Sequence, residues 1–244
     1  MSNATLMKSP RGRSGTLTLA LLLGMTGLAG AAEWPLLDQL GPDPNSIAGR
    51  GVWASQRFET SFAQYDIGVL DDFVVPPPGA QLATVEAVLG FWGGTGNFVN
   101  IQSYAVEVYS SVAAAARNLR GDVASFETAT YANLVQPWGA GGYRQGKVTL
   151  DVAPGQMVLQ PGRYWLAVIP RMVFSPQGQC GVSGSWLGDL NAAQANPGGA
   201  FGFPNGYQYI TPPENAAFRI SAVPEPGALA LLVLAALLLG RRLR

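Results

Sequence analysis

Asp66, Asp71 and Asp72 form the densest group of acids in the chain. Carboxylates so close together suit two chemistries. They could coordinate a hard cation such as Ca²⁺ through oxygen, or act as acid and base in glycoside hydrolysis. A third reading is plainer: solvated acids at a strand edge. Asp71 and Asp72 are neighbours in a β-rich run, Val69 to Val75, so their side chains point to opposite faces. They cannot both line one site unless the strand bulges, and solvated edge acids are the expectation. Calcium at Asp71 and Asp72 is the one cofactor the sequence admits. Catalysis lacks its usual partners, and the chain reads as a non-enzyme. It has no histidine, which removes Ser-His-Asp and Cys-His catalysis, histidine metal sites and histidine proton shuttles. Its single cysteine, Cys180, cannot form an intramolecular disulfide and reads as a buried, inert thiol.

Aromatic side chains are the second candidate set: Trp92, Trp138, Tyr143, Trp165, Trp186, Tyr207 and Tyr209. A flat row of exposed rings on one sheet would stack on sugars. Rings are also efficient core filling, and Trp92 and Trp165 are expected there. Trp138 and Trp186 lie beside Gly-rich loops and are the ligand-binding candidates. The glycine clusters Gly93-Gly-Thr-Gly-Asn and Gly139 to Gly142 neither open a helix after a parallel strand nor include a P-loop lysine, so they read as turns.

These residues must be carried by strands. Val85, Ala87, Leu89 and Phe91 alternate with Thr84, Glu86, Val88 and Trp92. Tyr104, Val106 and Val108 alternate with Glu107 and Tyr109, and Val148, Leu150 and Val152 with Thr149 and Asp151. This is period two. Arg163 to Ile169 is apolar on both faces and reads as a central strand. Pro76-Pro-Pro-Gly ends the acid-bearing run. Val112 to Leu119 reads equally as a short helix or a loop. Asp189 to Phe203 and the lead-in Glu33 to Ala48 read as loop. Many short strands without a long 3.6-period helix predict an antiparallel β-sandwich over residues 33–222.

Both ends read as targeting segments. Lys8, Arg11 and Arg13 precede the apolar stretch Leu17 to Leu28, and Ala29-Gly30-Ala31 forms an A-x-A cleavage site. Residues 1–32 are therefore a secretory signal peptide. Between the ends lie about 190 residues, enough for one domain with a real core. They hold 9 Arg and Lys against 14 Asp and Glu, a net charge of 9 − 14 = −5. That balance offers no electrostatic footprint for nucleic acid.

At the far end, Val223 to Gly227 is a proline-stiffened segment with one acid. Residues 228–240 are wholly apolar, and Arg241, Arg242 and Arg244 follow. Thirteen helical residues span roughly 20 Å, short against a hydrocarbon core of about 30 Å. The terminal arginines favour a cytoplasmic C-terminus. Val223-Pro224-Glu225-Pro226, the Leu/Ala run and the basic end together resemble the PEP-CTERM sorting signal of Gram-negative bacteria, over residues 223–244. The resemblance implies recognition of Pro-Glu-Pro by a membrane-embedded exosortase; the signal peptide implies export by the general secretion machinery and cleavage by signal peptidase. It implies a transient transmembrane helix, delivery to the cell surface or beyond it, and association with exopolysaccharide and biofilm. Asp71-Asp72-Phe73, Tyr104-Ala-Val-Glu-Val-Tyr109 and the run Leu159 to Val168 also resemble segments of PEP-CTERM ectodomains, which implies a jelly-roll-like sandwich. A non-catalytic surface or matrix protein is the leading expectation. A carbohydrate-binding module comes next, and a glycoside hydrolase or lyase last.

Overall fold

The computed structural model describes residues 32–42, 51–135 and 144–224. In chain order the elements are β1 (Trp34–Asp38), β2 (Val52–Ala54), β3 (Gly68–Val75), β4 (Ala80–Trp92), β5 (Ser103–Tyr109), helix α1 (Val112–Ala115), β6 (Ala124–Thr128), β7 (Asn133–Val135), β8 (Arg144–Asp151), β9 (Val158–Leu159), β10 (Gly162–Arg171), β11 (Gln179–Ser185), β12 (Ala193–Ala195), β13 (Tyr207–Tyr209), β14 (Asn215–Ala216) and β15 (Phe218–Pro224). They build two antiparallel sheets, as the period-two pattern predicts.

One sheet grows on β4, its longest strand. On one side β4 pairs with β15 and then β11. On the other it pairs with β9 and then β8. The second sheet runs β13-β12-β3-β10-β5-β6. Its centre is β10, flanked by β3 and β5, and both its faces are packed, with Leu166 and Val168 on one side and Ala167 and Ile169 on the other. One face of this sheet (Phe73, Tyr104, Val106, Leu166 and Val168) joins the core with Val85, Leu89, Phe91, Val148, Leu150 and Phe218 of the other. Fully burying each large side chain contributes about 1.5–3 kcal/mol. The other face is covered in turn: Leu70, Ala105, Tyr109, Ala167 and Ile169 pack with Ala114 and Ala115 of α1 and with Leu119. Cys180 is fully buried in the core, and burial pushes its thiol well above the ordinary range.

Three segments differ from the sequence expectation. The lead-in contains β1, an outermost strand paired with β15 with a register shift between Pro35 and Leu37; an edge strand tolerates the missing proline N–H. The loop-like stretch after Asp189 contains β12, held by β3 and β13 on either side. Val223 and Pro224, read as the start of the tail segment after a domain ending at residue 222, are the last residues of β15 and lie opposite Gln81 and Ala80. Among the described residues no helix is long and apolar enough to cross a membrane. Residues 1–31 and the expected helix 228–240 lie outside the described residues.

Candidate metal centre

Strand β3 carries Asp71 opposite Leu166 and Asp72 opposite Trp165 of β10. Leu166 belongs to the core between the sheets and Trp165 packs on the outer layer, so the two acids start toward opposite faces, as alternation requires. The β3–β10 register runs unbroken from Gly162 to Ala167, without a bulge. Yet one oxygen from each of Asp71, Asp72 and Asp189 lies within 4.8 Å of the other two. The expectation of separate, solvated acids is overturned: Asp71 is 0% exposed and Asp72 is 7% exposed.

The reason is the open edge of β3. Strand β12 pairs with β3 only from Gly68 to Leu70. Past Leu70, the chain entering β12 lies beside the acids and supplies Asp189 and Asn191. Leu190 between them has φ +60, a left-handed conformation uncommon for leucine. Asn215 clamps this segment: its Nδ2 donates to the Leu187 carbonyl at 2.7 Å, and its Oδ1 accepts the Asn191 N–H at 2.9 Å. Gly188 has φ +113, and a Cβ there would fall 2.0 Å from Asn215 Nδ2, so the clamp requires glycine.

Each acid is already engaged. Asp71 accepts the N–H of Ala216 at 2.6 Å and of Asp72 at 2.9 Å, and hydrogen-bonds the Gln39 side chain. The Ala216 bond links β3 to β14 of the opposite sheet. Burial pushes the Asp71 carboxyl up to about 7 against these hydrogen bonds, and the Asp72 charge adds to the rise. Asp72 accepts Arg163 Nε at 2.5 Å and Asn191 Nδ2 at 2.6 Å. Asp189 accepts Asn191 Nδ2 at 2.8 Å and lies 3.4 Å from Arg163 Nη2. The hydrogen bond to Asp72 holds the Arg163 guanidinium above its ordinary range. Asp72 and Asp189 thus share one guanidinium, Asp71 has no cation partner among these contacts, and an all-oxygen acidic cluster could hold a metal ion.

Asp66 is not part of this cluster. It lines a polar cleft of about 610 Å³ with Arg57, Glu107, Arg120, Glu127 and Arg171. Its Oδ1 accepts the Phe58 N–H at 2.8 Å, and burial raises its carboxyl above the ordinary range. Glu107 is buried and bonded to Arg57 Nη2 at 2.6 Å and to the Gly121 N–H at 2.8 Å.

The aromatics divide. Trp186 is 62% exposed and lines a shallow depression of about 410 Å³ with Leu190, Pro212, Pro213 and Glu214, beside the acid-bearing segment. Trp165, Tyr209 and Tyr207 do form a row on one sheet. Their rings are tilted against one another, by 57° for Trp165–Tyr209 and 86° for Tyr207–Tyr209, so the row is not a flat platform. A second group, Phe58, Phe62, Tyr65, Phe174 and Phe201, lines a pocket of about 270 Å³ that the sequence did not single out. Trp138 and Tyr143 lie outside the described residues, as do Glu225, Pro226, Arg241, Arg242, Arg244 and the cleavage residues Ala29 and Ala31. The sequence reading also missed Gln39, Asp189 and Asn191. Asp189-Leu-Asn191, an acid and an amide two apart in a loop, was the available signal for two of them. No protein-family model, no curated protein and no solved structure matches the chain.

Proposed function

We propose that the chain is an exported, non-catalytic protein of the cell surface or extracellular matrix, sorted by an exosortase and associated with exopolysaccharide. The observation that carries this reading is the tail: Val223-Pro224-Glu225-Pro226, an apolar run over 228–240, and Arg241, Arg242 and Arg244, in that order. On this reading residues 1–32 are removed by signal peptidase. The tail is held in the inner membrane with its arginines in the cytoplasm, and the jelly-roll-like ectodomain is then released to the surface. Because Val223 and Pro224 belong to β15, their recognition in extended form requires the end of that strand to leave β4. Calcium is the ion assigned to Asp71, Asp72 and Asp189, since hard oxygen ligands suit it and extracellular modules bind it at roughly 10⁻⁴–10⁻³ M. In the native host, Pro224→Ala combined with Glu225→Ala is expected to leave an uncleaved, membrane-retained precursor. Normal release of that double variant contradicts the sorting reading.

A second reading, a carbohydrate-binding module, is favoured by the exposure of Trp186. It expects Trp186→Ala to reduce retardation of the protein in gels containing the host's own polysaccharide, while unfolding is unchanged. Equal retardation removes Trp186 from any binding role.

A further inference from the structure

We propose that the acid cluster is a calcium site whose ligand set is completed by two side-chain amides, Gln39 and Asn191, each turning its oxygen toward the ion. The proposal rests on the cation reading of Asp71, Asp72 and Asp189 given above. It is independent of how the protein is sorted.

The observation beyond the acids is a pair of unsatisfied oxygens. Buried polar atoms almost always have a hydrogen-bond partner. Gln39 Oε1 and Asn191 Oδ1 are buried and have none, and both belong to amides that touch the acids. Gln39 is 2% exposed. Its main chain is pinned on both sides: its N–H donates to the Phe218 carbonyl at 2.9 Å, and its carbonyl accepts Ser185 Oγ at 2.6 Å. Its side chain therefore has a fixed origin beside the Asp71 carboxylate, to which it is bonded. Asn191 reaches the other two acids. Its Nδ2 donates to Asp72 Oδ1 at 2.6 Å and to Asp189 Oδ2 at 2.8 Å, bridging the two carboxylates as a cation would.

A carboxamide presents two donors at one end and an acceptor at the other. A half-turn exchanges them within nearly the same volume. With nitrogen inward, each amide donates to a carboxylate. With oxygen inward, it ligates a cation that the carboxylates also ligate, and the orphaned oxygen gains its partner. The set is then Asp71, Asp72, Asp189, Gln39 and Asn191. It offers five side-chain oxygens at least, rising to the six to eight that Ca²⁺ takes when a carboxylate is bidentate or water joins. Mg²⁺ fits less well, because it demands near-ideal octahedral geometry and keeps several waters. The occupied site would tie β3, the segment after β1 and the segment before β12 together in a domain that has no disulfide.

The test is calcium titration of the chelator-treated full chain, purified in detergent, by calorimetry and thermal unfolding, with MgCl₂ in parallel. Expected results are one saturable Ca²⁺ site, a raised unfolding temperature, and a response to Mg²⁺ at least tenfold weaker. Asp189→Asn alters an exposed side chain and is expected to weaken Ca²⁺ tenfold or more. Gln39→Leu and Asn191→Leu are each expected to weaken it by a similar factor. If those variants do not fold, the wild-type side-chain amide NMR signals of Gln39 and Asn191 report directly, and both are expected to shift on saturation. Absence of saturable binding overturns the cation reading itself. Binding that is lost in Asp189→Asn but leaves both amide signals unmoved keeps the cation and overturns the amide ligands.

Discussion

The buried Asp71 carboxyl makes the stability of this domain pH-dependent in an unusual direction, and the effect can be sized. Burial raises its folded-state value to about 7, from 3.8. The folded protein therefore holds this proton more tightly than the unfolded chain does. Asp71 contributes stability that is fully present below about pH 4 and is lost as pH rises through 7. A displacement of about three pH units corresponds to roughly 4 kcal/mol, with no discount for solvent screening because the residue is fully buried. The neighbouring charges are Asp72, Asp189 and Arg163. The chain has no histidine, so no side chain with an ordinary value near 6.5 competes in that window. Urea unfolding between pH 5 and pH 8, in a chelator, is expected to show falling stability for the wild type. Asp71→Asn removes the titration and flattens that slope. Its amide accepts the Ala216 and Asp72 N–H groups less well, at about 1 kcal/mol for a lost hydrogen bond. The variant should thus be the less stable protein at pH 5 and the more stable at pH 8. Parallel profiles for the two proteins would mean that the folded state does not hold the Asp71 proton more tightly than the unfolded chain does.

Arg57→Ala leaves Glu107 buried without its cation, a loss expected to cost about 3–5 kcal/mol. Urea unfolding measures it, and a cost under about 1 kcal/mol would mean that Glu107 is solvated on losing its partner. Cys180 is expected to resist a thiol reagent in the folded protein and to react at once in denaturant; rapid labelling of the native state contradicts its burial in the core.

The sandwich was legible because its main strands carry their environment in their own residues. Strand β4 alternates, and β10 is apolar on both faces because both are packed. Strand β12, Ala-Gln-Ala, carries no such mark. Its conformation comes from pairing with β3 and β13, and context outweighs propensity in so short a strand. The acid cluster was half legible. Alternation placed Asp71 and Asp72 on opposite faces, but their convergence depends on where β12 stops and on a segment that arrives much later in the chain. The roles of Gln39, Asp189 and Asn191 are tertiary for the same reason. Period two also gives no warning that β15 continues through Val223 and Pro224, because the pairing with β4 carries the strand into the proline-stiffened segment.

Intact mass of the protein recovered from its own host, compared between membrane and outer fractions, tests whether the tail is a sorting signal. The expected result is loss of both ends, leaving roughly Glu33 to the Pro-Glu-Pro region in the outer fraction. A mass that retains Arg244, found only in the membrane fraction, would make the tail a plain anchor and contradict sorting by an exosortase.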